Sequence, residues 1–211
     1  VKHNTSIKNL IFDLGGVILD LSIDQTMEQF SALSGLDKQK VNDLYASTPG
    51  FETYERGLMS DTDFRNFVRE VFSVQSSDEE IDSCWNAMLL GLPIRKLSLL
   101  QNLKTKYSVY LLSNTNSIHL NHINQIMLPG VTHPGNSLDT YFHRAYYSHV
   151  MKKRKPNADI FEQVLNENSL LAHETLFLDD NLANIEGAKQ LGIQTVHVVT
   201  PDLILSYFDE Q

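Results

Sequence analysis

The stretch Leu10-Ile11-Phe12-Asp13-Leu14-Gly15-Gly16-Val17 decides the fold. An apolar run without alternation marks a strand covered on both faces, as in a parallel sheet, and this one runs into a carboxylate. The glycines behind it permit a tight turn and let backbone N–H groups approach a ligand closely. Standing alone, Asp13 reads first as a cap or turn residue, roles in which aspartate is common.

The same construction recurs, and that changes the reading. Val109-Tyr110-Leu111-Leu112 runs into Ser113-Asn114, and Leu176-Phe177-Leu178 runs into Asp179-Asp180. Ligands of open α/β sheets bind in the crevice outside the carboxyl ends of the strands. Three strands therefore offer Asp, Ser-Asn and Asp-Asp to one crevice. Arg154-Lys155-Pro156, between the second and third, supplies a cation to neutralise an anion bound there.

In this order and spacing the segments resemble the haloacid dehalogenase superfamily, most of whose members are Mg²⁺-dependent phosphatases. Asp13 matches the nucleophile of the first motif, Ser113 the hydroxyl of the second, and Lys155 in Lys-Pro-x-x-x-Ile-Phe the lysine of the third. The run Phe177-Leu178-Asp179-Asp180-Asn181-Leu182-Ala183-Asn184-Ile185-Glu186-Gly187-Ala188 matches the acidic fourth motif. The resemblance covers nearly the whole chain. Its Asp-Leu-Gly-Gly-Val and Asp-Asp-Asn versions look most like a sugar-phosphate phosphatase subgroup that includes α-glucose-1-phosphatases. The fold so implied is α/β, a doubly wound parallel sheet with a small inserted helical cap. Residues 1–18 and 92–211 are expected to form the core and 19–91 the cap.

The resemblance also implies roles. Asp13 is expected to attack phosphorus and carry an aspartyl-phosphate. Asp13, Asp180 and the backbone carbonyl of Gly15 are expected to hold one Mg²⁺. Ser113 and the backbone around Gly15, Gly16 and Asn114 are expected to bind the phosphate oxygens, while Lys155 balances their charge and orients Asp13. Asp179 and Asp180 are neighbours at a strand end, so their side chains point to opposite sides; the motif favours Asp180 as the ligand and Asp179 as its support. Asn184 stands where many relatives carry a second acid and is expected to bond a metal-bound water. Ser113 also reads as a helix cap.

One position departs from the pattern. Phosphatases of the superfamily usually place Asp two residues after the nucleophile to protonate the leaving alkoxide, and this chain has Gly15. A missing general acid costs on the order of 10²–10⁴ in rate. Three outcomes stay open: a lost activity, a proton from water or substrate, or a proton from the cap. The sugar-phosphatase subgroup also has Gly here, which favours retained activity. Phe51-Glu52-Thr53-Tyr54-Glu55-Arg56-Gly57 reads as a polar loop between helices and resembles the cap's specificity loop, with Glu52, Glu55 and Arg56 set to meet sugar hydroxyls. Two other readings are a catalytically impaired protein that binds a phosphometabolite or a partner, and a metal-independent 2-haloacid dehalogenase. The latter resembles Asp-x-Tyr-Gly-Thr at the first motif and has no use for Asp179-Asp180.

Composition narrows the field further. Across 211 residues, 17 basic against 26 acidic side chains give a net charge of −9, which argues against a nucleic-acid binder. An anionic substrate must then find cations concentrated in the site itself. The lone Cys84 excludes an intrachain disulfide and a cysteine-rich zinc site, and reads as a buried helix residue. His119 and His122 lack a third ligand in step and read as helix surface. Tyr146, Tyr147 and Trp85 read as packing residues. No apolar run approaches the roughly 20 residues of a membrane helix, and the polar start Val1–Ser6 lacks a signal-peptide core. A cytoplasmic monomer or homodimer acting on a small phosphomonoester, without membrane partners, is expected; the first residue is Val, so a trimmed leader stays open.

Between Leu19 and Gly91 the spacing predicts helices and no strand. Ile23, Met27, Phe30 and Leu33 form one face ended by Gly35. Asp37 caps a second helix, and Ser60-x-x-Asp63 and Ser77-x-x-Glu80 open two more. From Ile94 strands and helices alternate, with a loop over Leu128–Thr140, a strand over Phe142–Tyr147 and a last strand over Ile193–Val199. Opening about the linkers near Ile18–Asp20 and Gly91–Pro93 is expected; a disulfide locking them should abolish turnover.

Overall fold

The computed structural model describes residues 7–132 and 135–209. The polar start Val1–Ser6 and Pro134 of the predicted loop lie outside the described residues. In chain order the elements are β1 (Asn9–Phe12), β2 (Asp20–Leu21), α1 (Ile23–Ser34), α2 (Lys38–Ser47), α3 (Gly50–Glu55), α4 (Asp61–Phe72), α5 (Asp78–Asn86) and β3 (Leu89–Gly91). Then come α6 (Ile94–Leu103), β4 (Ser108–Ser113), α7 (Ser117–His122), β5 (Arg144–Tyr147), α8 (Ser148–Met151), α9 (Ala158–Glu167), β6 (Thr175–Asp179), α10 (Leu182–Gln190), β7 (Gln194–His197) and α11 (Leu203–Asp209).

Five strands form a parallel sheet in the order β5-β4-β1-β6-β7. β1 holds the centre because Leu10, Ile11 and Phe12 are apolar toward both faces, and none is exposed. Leu10 and Phe12 pack with Leu97 and Leu100 of α6 and Ile204 of α11. Ile11 faces the other way, onto Ile160 and Phe161 of α9 and Ile185 of α10. The sheet is thus covered on both sides, the doubly wound arrangement. Its strand order turns outward on either side of β1, and such a switch point is where a crevice opens at the carboxyl ends.

Helices α1 to α5 bury a cluster of their own, including Met27, Phe30, Phe64, Val68, Phe72, Ile81 and Trp85. Their ends follow the predicted caps. Gly35 closes α1 in the left-handed region at φ 73°, Asp37 accepts from the Lys40 N–H, and Ser77 with Glu80 forms a reciprocal capping box. Cys84 is buried on α5. Ile118 of α7 joins this cluster, so a helix of the sheet domain enters the core of the insertion.

Four expectations change. The ends of the insertion pair as an antiparallel ribbon, β2 with β3, so strands do occur between Leu19 and Gly91; runs this short carry no period. Beside the ribbon, the unexposed Lys96 of α6 donates to Asp20 at 2.9 Å. The predicted loop Phe51–Gly57 is mostly helix α3, because Phe51 and Tyr54 both bury a ring on one side. The stretch Leu128–Thr140 contains short 3₁₀ turns at Leu128–Gly130 and Leu138–Tyr141. β5 and β7 are shorter than predicted, and α11 follows the last strand. Among the described residues no helix is long and apolar enough to cross a membrane.

Candidate active site

The register of β1 brings the first candidates level. Phe12 stands opposite Leu111 and Leu178, so Asp13, one residue on, is level with Leu112 of β4 and Asp179 of β6. Lys155 enters this level from the loop between α8 and α9. Its ammonium donates to Asp13 Oδ1 at 2.7 Å, to Asp179 Oδ2 at 2.7 Å and to the Leu112 carbonyl at 2.8 Å. An ammonium has three donors, and all three are used. The Phe177 ring lies below it, 5.3 Å from Nζ.

Burying a charge this deeply costs several kcal/mol unless partners compensate. Burial pushes the Lys155 pKa down, but Asp13 and Asp179 push harder and the result is a raised value. For Asp13 the balance goes the other way: burial raises its pKa above the carboxylate range against the pull of Lys155, and Asp179 adds to the rise. Burial and then Asp179 also raise Asp180. Burial is the larger cause of both shifts, and the neighbouring carboxylate adds to each: three carboxylates lie together here, and the one ammonium pairs with two of them.

Oxygens of Asp13, Asp179 and Asp180 all lie within 4.8 Å of one another. An all-oxygen set of this kind suits a hard divalent cation. Asp179 is unexposed, and protein donors already occupy it. Its Oδ1 accepts from the Asn181 N–H at 2.8 Å and from Asn184 Nδ2 at 3.0 Å, while Oδ2 takes Lys155. Asp180 is exposed and projects beside Gly16, where a β-carbon would fall 2.2 Å from its Oδ2. Gly16 therefore provides room, in a backbone of φ 72° that favours glycine.

Several predicted contributions are redistributed. The Gly16 N–H is bonded to the Leu19 carbonyl at 2.8 Å and is not free for an anion. Asn184 Nδ2 donates to both Asp179 oxygens, at 3.0 and 3.1 Å. Asn114 uses its side chain to clamp the Lys155 backbone, donating to its carbonyl and accepting from its N–H, each at 3.0 Å. Ser113 is buried at the end of β4. It is not a helix cap, since Asn116 caps α7 by accepting from the His119 N–H. A side chain at Gly15 would point at Leu21 of the ribbon, whose Cδ2 lies 3.1 Å from the β-carbon position.

The insertion meets this loop through a pair the motifs left open. Glu52 and Arg56 pair with each other, 2.7 Å apart on α3, with Glu52 exposed. Glu55, however, takes the Arg154 guanidinium at 2.8 Å, and its carbonyl lies 2.6 Å from Ser148 Oγ. Arg154 is thereby committed to the insertion and not to an anion. His119, expected on a helix surface, is buried. Its ring stacks on Trp85 at 4.9 Å, and burial lowers its pKa to about 4. No charge signal marked it, because its partners are an indole, an amide and a carbonyl.

Residues 7–192 match the family model of the haloacid dehalogenase-like hydrolases. The chain is 32% identical over 189 residues to the D-ribitol-5-phosphate phosphatase of Bacteroides thetaiotaomicron, with 90% of each chain covered. It superposes with a TM-score of 0.81 and 36% identity on a haloacid dehalogenase family enzyme of the same organism, solved with magnesium and inorganic phosphate; 90% of this chain and 93% of that one are covered. A structure described as a predicted hydrolase of this type from Porphyromonas gingivalis gives 28% identity and a TM-score of 0.84, with 98% and 100% covered. The chain belongs to the haloacid dehalogenase-like hydrolase family.

Proposed function

We propose that the chain is a Mg²⁺-dependent phosphatase of small phosphorylated metabolites, sugar or sugar-alcohol phosphates, working through an aspartyl-phosphate on Asp13. The observation that carries this reading is the buried Lys155 ammonium held between Asp13 and Asp179, with Asp180 beside them. One carboxylate is oriented by a cation, and the cluster's excess negative charge calls for a second cation. The magnesium and phosphate bound by one relative, and the phosphorylated sugar alcohol in the name of another, fit that requirement.

In this reading Asp13, Asp180 and the Gly15 carbonyl hold the Mg²⁺, with Asp179 and Asn184 bracing Lys155. The ion, when bound, shields the attacking carboxylate from the substrate's charge and stabilises charge building on the phosphoryl oxygens. Lys155 fixes the Asp13 carboxylate, so attack needs no reorientation of the nucleophile. An Asp13 oxygen bonds to phosphorus as the bond from phosphorus to the ester oxygen breaks, and water later cleaves the acyl phosphate. Ser113 and the Asn114 backbone take phosphoryl oxygens. The departing alkoxide takes its proton from water or from the substrate, because Gly15 offers none. Residues 19–91 act as a cap on the core of 1–18 and 92–211, with Glu52 and Arg56 on the substrate side.

The test is phosphate release from a panel of phosphomonoesters that includes D-ribitol 5-phosphate and several sugar phosphates, with Mg²⁺ and with chelator, alongside Asp13→Asn. Release that needs both the metal and Asp13 is expected. Silence across the panel from folded, metal-loaded protein would overturn the reading.

A further inference from the structure

Three consecutive residues after Ser113-Asn114 reach the helical insertion. The Thr115 N–H donates to Ser148 Oγ at 2.9 Å, and Ser148 is bonded in turn to the Glu55 carbonyl. Ser117 Oγ donates to Asp61, and the Tyr54 hydroxyl bonds the same carboxylate at 2.8 Å. Between them Asn116, with no exposure, accepts from the Trp85 indole N–H at 3.3 Å and from the His119 N–H at 3.0 Å. Its Nδ2 lies 3.1 Å from His119 Nδ1, and His119 Nε2 lies 3.1 Å from the Trp85 carbonyl.

These partners fix the protons. An amide Nδ2 is only a donor, so His119 Nδ1 must accept and its hydrogen sits on Nε2, where it donates to the Trp85 carbonyl. The ring is neutral, and every polar atom of the Trp85–Asn116–His119 group named here has a partner. A satisfied buried network holds one geometry. This one joins α5 of the insertion to the turn that begins with the proposed phosphate ligands.

We propose that Asn116 is a positioning residue that couples anion binding at Ser113-Asn114 to the placement of helix α5. The inference rests on the proposed phosphate site. Coupling of this kind is reciprocal: phosphate bound at Ser113-Asn114 strengthens the Asn116–Trp85 junction, and the intact junction strengthens phosphate binding to the same degree. Because Trp85 is the single tryptophan of the chain, its indole N–H is a unique reporter of the junction.

The experiment titrates inorganic phosphate into the full-length protein with Mg²⁺, following the Trp85 indole ¹H–¹⁵N resonance and, separately, the heat of binding. The resonance is expected to move with saturation. In Asn116→Ala it should start displaced and stay still, with phosphate affinity weakened by about fivefold or more. Trp85→Phe keeps an aromatic ring against His119 while removing the indole N–H and part of the ring volume, and its Tm is measured to establish that it folds. It should weaken phosphate and raise KM by a similar factor while kcat changes less, a split that mere loss of packing does not give. Binding with an unmoved indole, or wild-type phosphate affinity in folded Trp85→Phe, would overturn the coupling alone. No heat of phosphate binding by the wild type would overturn the phosphate site and the coupling with it.

Discussion

Lys155 Nζ lies 2.7 Å from a carboxylate oxygen of Asp13 and 2.7 Å from one of Asp179, and none of the lysine side chain is exposed. Removing one partner of such a pair is worse than never having built it, because the surviving charges stay buried. Lys155→Met is therefore expected to lower stability by about 3–5 kcal/mol and to abolish turnover. Lys155→Arg should restore neither, since a planar fork does not match three acceptors converging on one point. Urea denaturation with a phosphate-release assay decides both; a Met variant as stable as the wild type would mean that the pair does not hold the site together.

A cluster with three carboxylates and one ammonium should be stabilised by a divalent cation. Mg²⁺ at a hundred times its dissociation constant should raise the unfolding free energy by about 2.7 kcal/mol, read as a higher Tm. Asp180→Asn removes the exposed member, which Lys155 does not hold, and should erase most of that increment while leaving the metal-free Tm nearly unchanged. Chelator should return the wild-type Tm to its metal-free value. An undiminished Mg²⁺ response in Asp180→Asn would place the ion elsewhere.

The two glycines behind Asp13 should answer differently to one added methyl group. At Gly16 the β-carbon would collide with Asp180 Oδ2 in a left-handed backbone, so Gly16→Ala should cost about 1–2 kcal/mol and displace the proposed ligand, weakening the Mg²⁺ effect on Tm. At Gly15 the β-carbon meets only the far end of Leu21, which can shift. Gly15→Ala should fold with its Mg²⁺ response intact. Equal effects of the two substitutions would refute this division of labour.

What the sequence made legible follows from what leaves a pattern. The unalternating run Leu10–Phe12 ending in Asp13, and its echoes before Ser113 and Asp179, mark a central strand and its neighbours because burial on both faces constrains every residue. Lys155 became legible only through Lys-Pro and the spacing of the other motifs; a single lysine carries no sign that it is buried. The ribbon β2–β3 was illegible because two and three residues carry no period. Helix α3 looked like a loop since Glu52, Thr53, Glu55 and Arg56 outnumber Phe51 and Tyr54, the two residues that bury. Glu55–Arg154 and Trp85–Asn116–His119 join residues far apart in sequence, and such pairings belong to the tertiary structure alone.

Buried, neutral His119 makes stability depend on pH in a stated direction. Its folded pKa is lowered to about 4, with burial as the largest cause, from an ordinary value of 6.5. Above pH 6.5 neither state binds the proton, and its contribution to stability is fully present. As the pH falls below 6.5 the unfolded chain takes a proton that the folded protein refuses, so stability declines until the folded ring also titrates near pH 4. The loss over this window is on the order of 3 kcal/mol. His119→Gln removes the titration, so the stability gap between wild type and variant should narrow steadily from pH 7 to pH 4. The half-buried His122, whose pKa burial also lowers, is present in both proteins and adds only a minor push to the His119 shift. Urea denaturation at several pH values across this window measures the gap, and a gap independent of pH would mean that His119 is not held neutral by the fold.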